Sequence, residues 1–279
     1  MDLVERIFIT KTVAEITTDV AWIAKHTGDL RVKLVEVDTD PAAYDAGHIP
    51  NAFLWNAHSG LSDEYSKAVA EEALRRLCAN SGITPETTII LYGSDACFGY
   101  WLLELAGHKN VKLLVGPREQ WAEAGYEWST ELPALVDSNY APRIVNEVII
   151  CNREEAADAI YDPWQIVLDV RSFSEYRSEQ LWPSWQDGAM PSAVNLPLEQ
   201  LYSREGPLKD LEELYQIFDQ VGVTPEKTIS IYCRTGDCAS EAWFILKCLL
   251  GYPIVRVYYG SWADWGDAPH ESLTAEARG

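Results

Sequence analysis

The residue with the clearest chemical potential is Cys233. It follows the apolar run TISIY (228–232) and opens the segment Arg234, Thr235, Gly236, Asp237, Cys238, Ala239, with a helical pattern read from about Glu241. A short continuous apolar run reads as a strand buried on both faces of a parallel sheet. In open α/β sheets, ligands bind beyond the carboxyl ends of the strands. A loop running from such a strand into a helix turns backbone N–H groups inward and cradles an anion. The helix N-terminus adds partial positive charge, and Arg234 adds a full one. The expected result is a Cys233 thiol whose pKa falls below the free value near ~8.5, so that it reacts as a thiolate. Gly236 lets the loop take backbone angles closed to other residues. The competing reading is an inert buried cysteine, which leaves Arg-x-Gly directly after a cysteine without a packing purpose. The chemistry implied is nucleophilic attack by sulfur.

The elements that must position this loop occur twice. GITPETTII (82–90) matches GVTPEKTIS (222–230), GHIPNA (47–52) matches GAMPSA (188–193), and VKLLVG (111–116) matches VRVYYG (255–260), at offsets of 140, 141 and 144. Trp121 and Trp265 each follow the glycine that ends this last landmark by five residues. Landmarks in one order at nearly one offset indicate a duplicated domain. Each copy opens with a β-rich run (VKLVEVD; QIVLDV), passes through the Gly-x-x-Pro-x-Ala turn, and enters a helical stretch. That stretch is SKAVAEEALRRLCANSG or LEELYQIFDQVG, ending where a helix C-cap favours glycine. Alternation of strands and helices predicts an α/β fold, each copy a mainly parallel sheet with helices on both faces. The boundaries read as 1–130 for the first domain, 131–144 for a polar linker and 145–279 for the second. Residues 177–187 are an insertion in the second copy, whose Trp182 and Trp185 either cover the cleft or pack on their own domain.

At the equivalent of Cys233, the first copy carries Gly93, after TIILY. One copy therefore holds a thiol at the strand end and the other does not, which assigns chemistry to the second domain alone.

Composition narrows the partners. The 279 residues carry 22 Lys and Arg against 43 Asp and Glu, a net charge of −21. Nucleic acid and anionic membrane are disfavoured, and an anionic substrate needs a local positive pocket to defeat the overall field. No apolar run approaches the roughly 20 residues of a membrane helix, and the N-terminus shows no basic, apolar, small-residue series. Six cysteines in a chain this long do not make a secreted disulfide scaffold, so reduced thiols and a cytoplasmic location are expected. No C-x-x-C occurs and the five histidines lack ligand spacing, so neither a metal nor a cofactor is expected.

VLDVRSFSEY (167–176), GAMPSAVNLP (188–197), CRTGDCAS (233–240) and YYGSWADW (258–265), with VEVD and GHIPNA in the first copy, resemble the tandem-domain rhodanese-type sulfurtransferases, a family acting on thiosulfate or 3-mercaptopyruvate. The resemblance implies two tandem rhodanese-like domains, an inactive N-terminal one and a catalytic C-terminal one. It makes Cys233 the nucleophile, holding sulfur as a persulfide before passing it to cyanide or a thiol, with a thioredoxin-like acceptor compatible. By position it assigns Arg171 to the substrate anion and Arg234 to the second charge of a dianionic donor, within a binding loop of Arg234, Thr235, Gly236, Asp237, Cys238 and Ala239. Asp169 either orients strand and loop or caps the following turn. His48 either assists proton traffic or is a satisfied structural histidine. Ser261, Trp262 and Trp265 are expected to floor the loop.

This loop departs from the family pattern at its fifth and sixth positions. Asp237 is acidic and opposes anion binding, and Cys238 stands where Arg or Thr is usual. Cys238 is either a redox partner of Cys233 or a small apolar substitute for Thr. In the family it resembles, a loop beginning Cys-Arg implies thiosulfate, whose second charge an arginine matches, a preference that Asp237 weakens. A Cys-x5-Arg phosphatase or arsenate reductase is excluded, because the clamp position holds Ala239. The alternative from another class is a non-catalytic sulfur-carrier or interaction module of the same fold.

Overall fold

The computed structural model describes residues 11–56, 67–134, 137–177, 188–204 and 206–267. Residues 178–187, which include Trp182 and Trp185, lie outside the described residues. The described chain divides into two compact units, one running through Glu147 and the other starting at Val148. The segment read as a linker is tied to the first unit: Ser138 Oγ donates to the Ile83 carbonyl, and the Ile144 N–H donates to Glu71 at 2.8 Å.

The first unit holds β1 (Thr17–Thr18), β2 (Val32–Asp38), β3 (Ala52–Asn56), β4 (Thr88–Tyr92) and β5 (Val111–Leu114), in the order β1-β5-β4-β2-β3. The second holds β6 (Ile150–Cys151), β7 (Gln165–Asp169), β8 (Val194–Asn195), β9 (Thr228–Tyr232) and β10 (Val255–Tyr258), in the order β6-β10-β9-β7-β8. The two orders are identical and every pairing is parallel. Both central strands, β4 and β9, run from half-buried threonine into four buried residues. Such burial contributes roughly 1.5–3 kcal/mol for each large aliphatic side chain. The two-residue edge strands β1 and β6 carry too little pattern to be read in sequence.

The helices fall where the periodicity puts them, at Lys67–Asn80 and Leu211–Gln220. The loop after β9 is shorter than the sequence suggested. The helix begins at Asp237 rather than near Glu241, continues to Trp243, and runs on as a π-helix over Phe244–Leu249. No described helix is long and apolar enough to cross a membrane.

The duplication extends to irregular detail. Asn51 and Ser192, equivalent positions in the Gly-x-x-Pro-x-Ala turn, have φ of 65° and 58°. The Tyr92 and Tyr232 hydroxyls, ending β4 and β9, accept the Ile49 and Met190 N–H groups at 3.2 and 3.1 Å.

Candidate active site

Cys233 follows β9 directly and is 3% exposed. Its backbone is held from below by the turn after β10. The Cys233 N–H donates to Ser261 Oγ at 3.2 Å, Ser261 Oγ is anchored on the Tyr258 carbonyl at 2.9 Å, and the Trp262 and Ala263 N–H groups donate to the Cys233 and Arg234 carbonyls. Ser261 and Trp262 thus floor the loop, and Trp265 is buried in the core close by in sequence.

The loop closes around the sulfur. Gly236, at φ 102°, directs its N–H at Cys233 Sγ over 3.0 Å. A Cβ at this glycine would stand 2.8 Å from the Tyr259 carbonyl oxygen. Ser261 Oγ lies 4.0 Å from the same sulfur. Burial pushes the Cys233 thiol up and Asp237 adds to that push, yet the donors from Cys238, Ala239 and Gly236 prevail and leave the thiol below its ordinary value. Cys78 and Cys151 supply the contrast. Burial without such a cradle pushes them up to about 12 and about 11.

The arginines are arranged differently from the sequence expectation. Arg171 is 6% exposed and lies in a bidentate pair with Asp169, Nη2 to Oδ2 at 2.6 Å and Nε to Oδ1 at 3.0 Å. Its Nη2 also donates to the Gly188 carbonyl at 2.9 Å, and the guanidinium lies over the Trp262 and Tyr232 rings. Asp169 Oδ1 also accepts the Arg171 N–H at 2.9 Å, the contact of a turn cap. Arg234 pairs with Glu175, which the sequence reading did not single out. Its charge is balanced there, so the cradle of backbone and thiol donors, rather than a free Arg234, favours the thiolate. Burial pushes Glu175 up, but Arg234 and Ser172 outweigh it and hold the carboxyl low. The available signal was Ser-x-x-Glu at 172–175, a capping box in which Ser172 and Glu175 satisfy each other's backbone.

Thr235 Oγ1 donates to Asp237 Oδ1 at 2.6 Å. Cys238 is exposed. His48 belongs to the first unit. Its ring stacks on Tyr44 at 3.8 Å, and its nitrogens lie 3.0 and 3.1 Å from the Tyr44 and Glu131 carbonyls.

A cysteine sulfur at the carboxyl end of the central parallel strand, met by a backbone N–H of a tight strand-to-helix turn, is an arrangement suited to nucleophilic chemistry at sulfur. The rhodanese-like domain model matches this chain twice, over residues 19–124 and 152–268. The sulfur carrier protein TtuD of Thermus thermophilus is 34% identical over 268 residues, spanning 91% of this chain and 94% of that protein. A Saccharopolyspora erythraea protein named "Putative thiosulfate sulfurtransferase" is 34% identical over 264 residues, 90% of this chain and 93% of its own length. Among solved structures, EanB with a persulfide cysteine and ergothioneine superposes with a TM-score of 0.81 at 22% identity, over 92% of this chain and 69% of that one. That last likeness speaks to fold. The chain belongs to the rhodanese-like family and consists of two tandem rhodanese domains.

Proposed function

We propose that this chain is a sulfurtransferase whose second domain takes sulfane sulfur from thiosulfate, in preference to 3-mercaptopyruvate, and passes it to cyanide or a thiol, thioredoxin-like proteins included. The observation that carries the reading is Cys233 Sγ held by the Gly236 N–H at 3.0 Å inside a ring of donors. The thiolate attacks the outer sulfur of thiosulfate. The sulfur–sulfur bond of the donor breaks, sulfite leaves with the electron pair, and Cys233 keeps a persulfide. The N–H groups that favour the thiolate also favour the persulfide anion. Residues 234–239 form the binding loop, Arg234 reaching the donor by exchange with Glu175 while Arg171 and Asp169 brace the base of the site. The reduced thiol this requires suits a cytoplasmic setting.

Mass spectrometry tests it. Incubation with thiosulfate adds one sulfur atom to Cys233, and cyanide removes it. No adduct on Cys233 sinks the assignment. The relative named a sulfur carrier protein favours a second reading, in which the same persulfide is handed only to a protein acceptor. An adduct that cyanide and small thiols leave in place supports that reading.

A further inference from the structure

Sulfur loaded on Cys233 is nearly enclosed, because that residue is 3% exposed. Cys238 is exposed and stands in the first turn of the helix that begins at Asp237, directly after the Gly236 N-cap. The Gly236 N–H, two residues before Cys238, lies 3.0 Å from the Cys233 sulfur, so the chain curls back on Cys233 just where the Cys238 turn of helix starts. Cys238 therefore sits in the curl that surrounds Cys233. A disulfide needs Cα atoms within roughly 7 Å, and a chain wrapped around one sulfur brings its own cysteine into that range.

We propose that Cys238 is a resolving thiol that discharges the Cys233 persulfide as hydrosulfide and leaves a Cys233–Cys238 disulfide. This rests on the sulfur-loading reading above and adds to it a second activity, sulfide release driven by a dithiol. The Cys238 sulfur attacks Cys233 Sγ, the inner sulfur of the persulfide. A bond forms between the two cysteine sulfurs, and the bond from Cys233 Sγ to the sulfane sulfur breaks. The sulfane sulfur leaves with that electron pair, takes the Cys238 proton and departs as hydrosulfide. It is reduced by two electrons, and the two cysteines together are oxidised by two. A dithiol reductant of the thioredoxin class then attacks the exposed Cys238 sulfur, and exchange returns both thiols. The structure assigns an order to the steps: loading occurs at the enclosed sulfur, and re-reduction enters at the exposed one.

The test loads the full chain with thiosulfate without oxygen, removes excess donor, and follows sulfide and intact mass with no external thiol present. Wild type is expected to release about one hydrosulfide for each loaded site. Its mass should settle two hydrogens below that of the reduced chain, with peptide mapping linking residues 233 and 238. Cys238→Ser retains a hydroxyl donor toward Cys233 but cannot form the disulfide, so its adduct should persist and sulfide release should be lost. Equal persistence of the adduct in both proteins, or equal release from both, overturns the proposal while leaving sulfur loading intact. Absence of both adduct and sulfide in wild type overturns the loading reading, and this proposal with it.

Discussion

The two domains bury an acid–arginine pair at the same register beside the central strand but draw the arginine from different places. Glu36 of β2 faces Tyr92 of β4 as Asp169 of β7 faces Tyr232 of β9. Glu36 is paired with Arg118 at 3.1 Å and Asp169 with Arg171 at 2.6 Å. Each guanidinium also donates to the first carbonyl of the Gly-x-x-Pro-x-Ala turn, at Gly47 or Gly188, and each lies over a tryptophan, Trp128 or Trp262. The base of the site is thus preserved in both halves by different residues. The top is not. After β4 the loop is Gly93, Ser94, Asp95, with helix from Ala96, one residue shorter than Cys233 to Gly236 before Asp237. Gly93 has φ 103°, and a Cβ there would lie 2.5 Å from the Val37 carbonyl oxygen. The scaffold is common to both domains, which differ at this strand end by one loop residue and by a cysteine in place of a glycine.

The sharpest test of that contrast is nucleophile exchange. Cys233→Ser should reduce thiosulfate-to-cyanide transfer to background, while Cys97→Ser in the first domain leaves it nearly intact. Gly93→Cys should not create a second site, since the new side chain meets backbone at a positive φ. Transfer activity surviving in a Cys233→Ser, Gly93→Cys double variant contradicts the division of labour.

Next in size is the buried pair. Arg171→Ala strands the Asp169 carboxylate at zero exposure and should cost about 3–5 kcal/mol, read from the denaturant midpoint of the second domain. Arg118→Ala should cost the first domain less. Burial already pushes Glu36 up, and a proton can replace the missing cation. The Arg118→Ala cost should therefore shrink as pH falls. Equal losses independent of pH would show the two pairs to be electrostatically alike.

A smaller effect is expected where the second domain holds an ion pair at its loop. Glu175→Gln preserves the capping box but releases Arg234, and should lower KM for thiosulfate by about threefold to tenfold. An unchanged KM would place donor recognition on the backbone cradle alone.

The smallest effect separates Cys233 from the other buried thiols by pH. Its folded pKa lies below the ordinary thiol value, so the unfolded chain holds the proton over a range where the native thiolate does not. The stability advantage of wild type over Cys233→Ser should be complete above the ordinary thiol pKa and fade as pH falls through the folded one. Cys151→Ser should show the opposite trend, because burial raises that thiol to about 11. Denaturation midpoints across the pH series provide the measurement, and parallel trends would contradict the cradle.

Much of this was legible in the sequence. Continuous apolar runs, helical periodicity, the duplicated landmarks and the mismatch of Gly93 with Cys233 determined the sheet, its repetition and which half carries the thiol. These signals are local, because strand and helix periods and turn residues act over a few positions. The charge state around the site was not legible. Arg234 is 59 residues from Glu175, and Arg118 is 82 residues from Glu36. Nothing within either short segment announces its partner. That Arg234 is balanced by Glu175, that Arg118 serves Glu36 as Arg171 serves Asp169, and that Cys238 is exposed beside an enclosed Cys233, only the tertiary structure decided. Ion pairs and sulfur contacts are set by which side chains the packed sheet brings within a few ångströms, and that proximity exists only after distant segments have met.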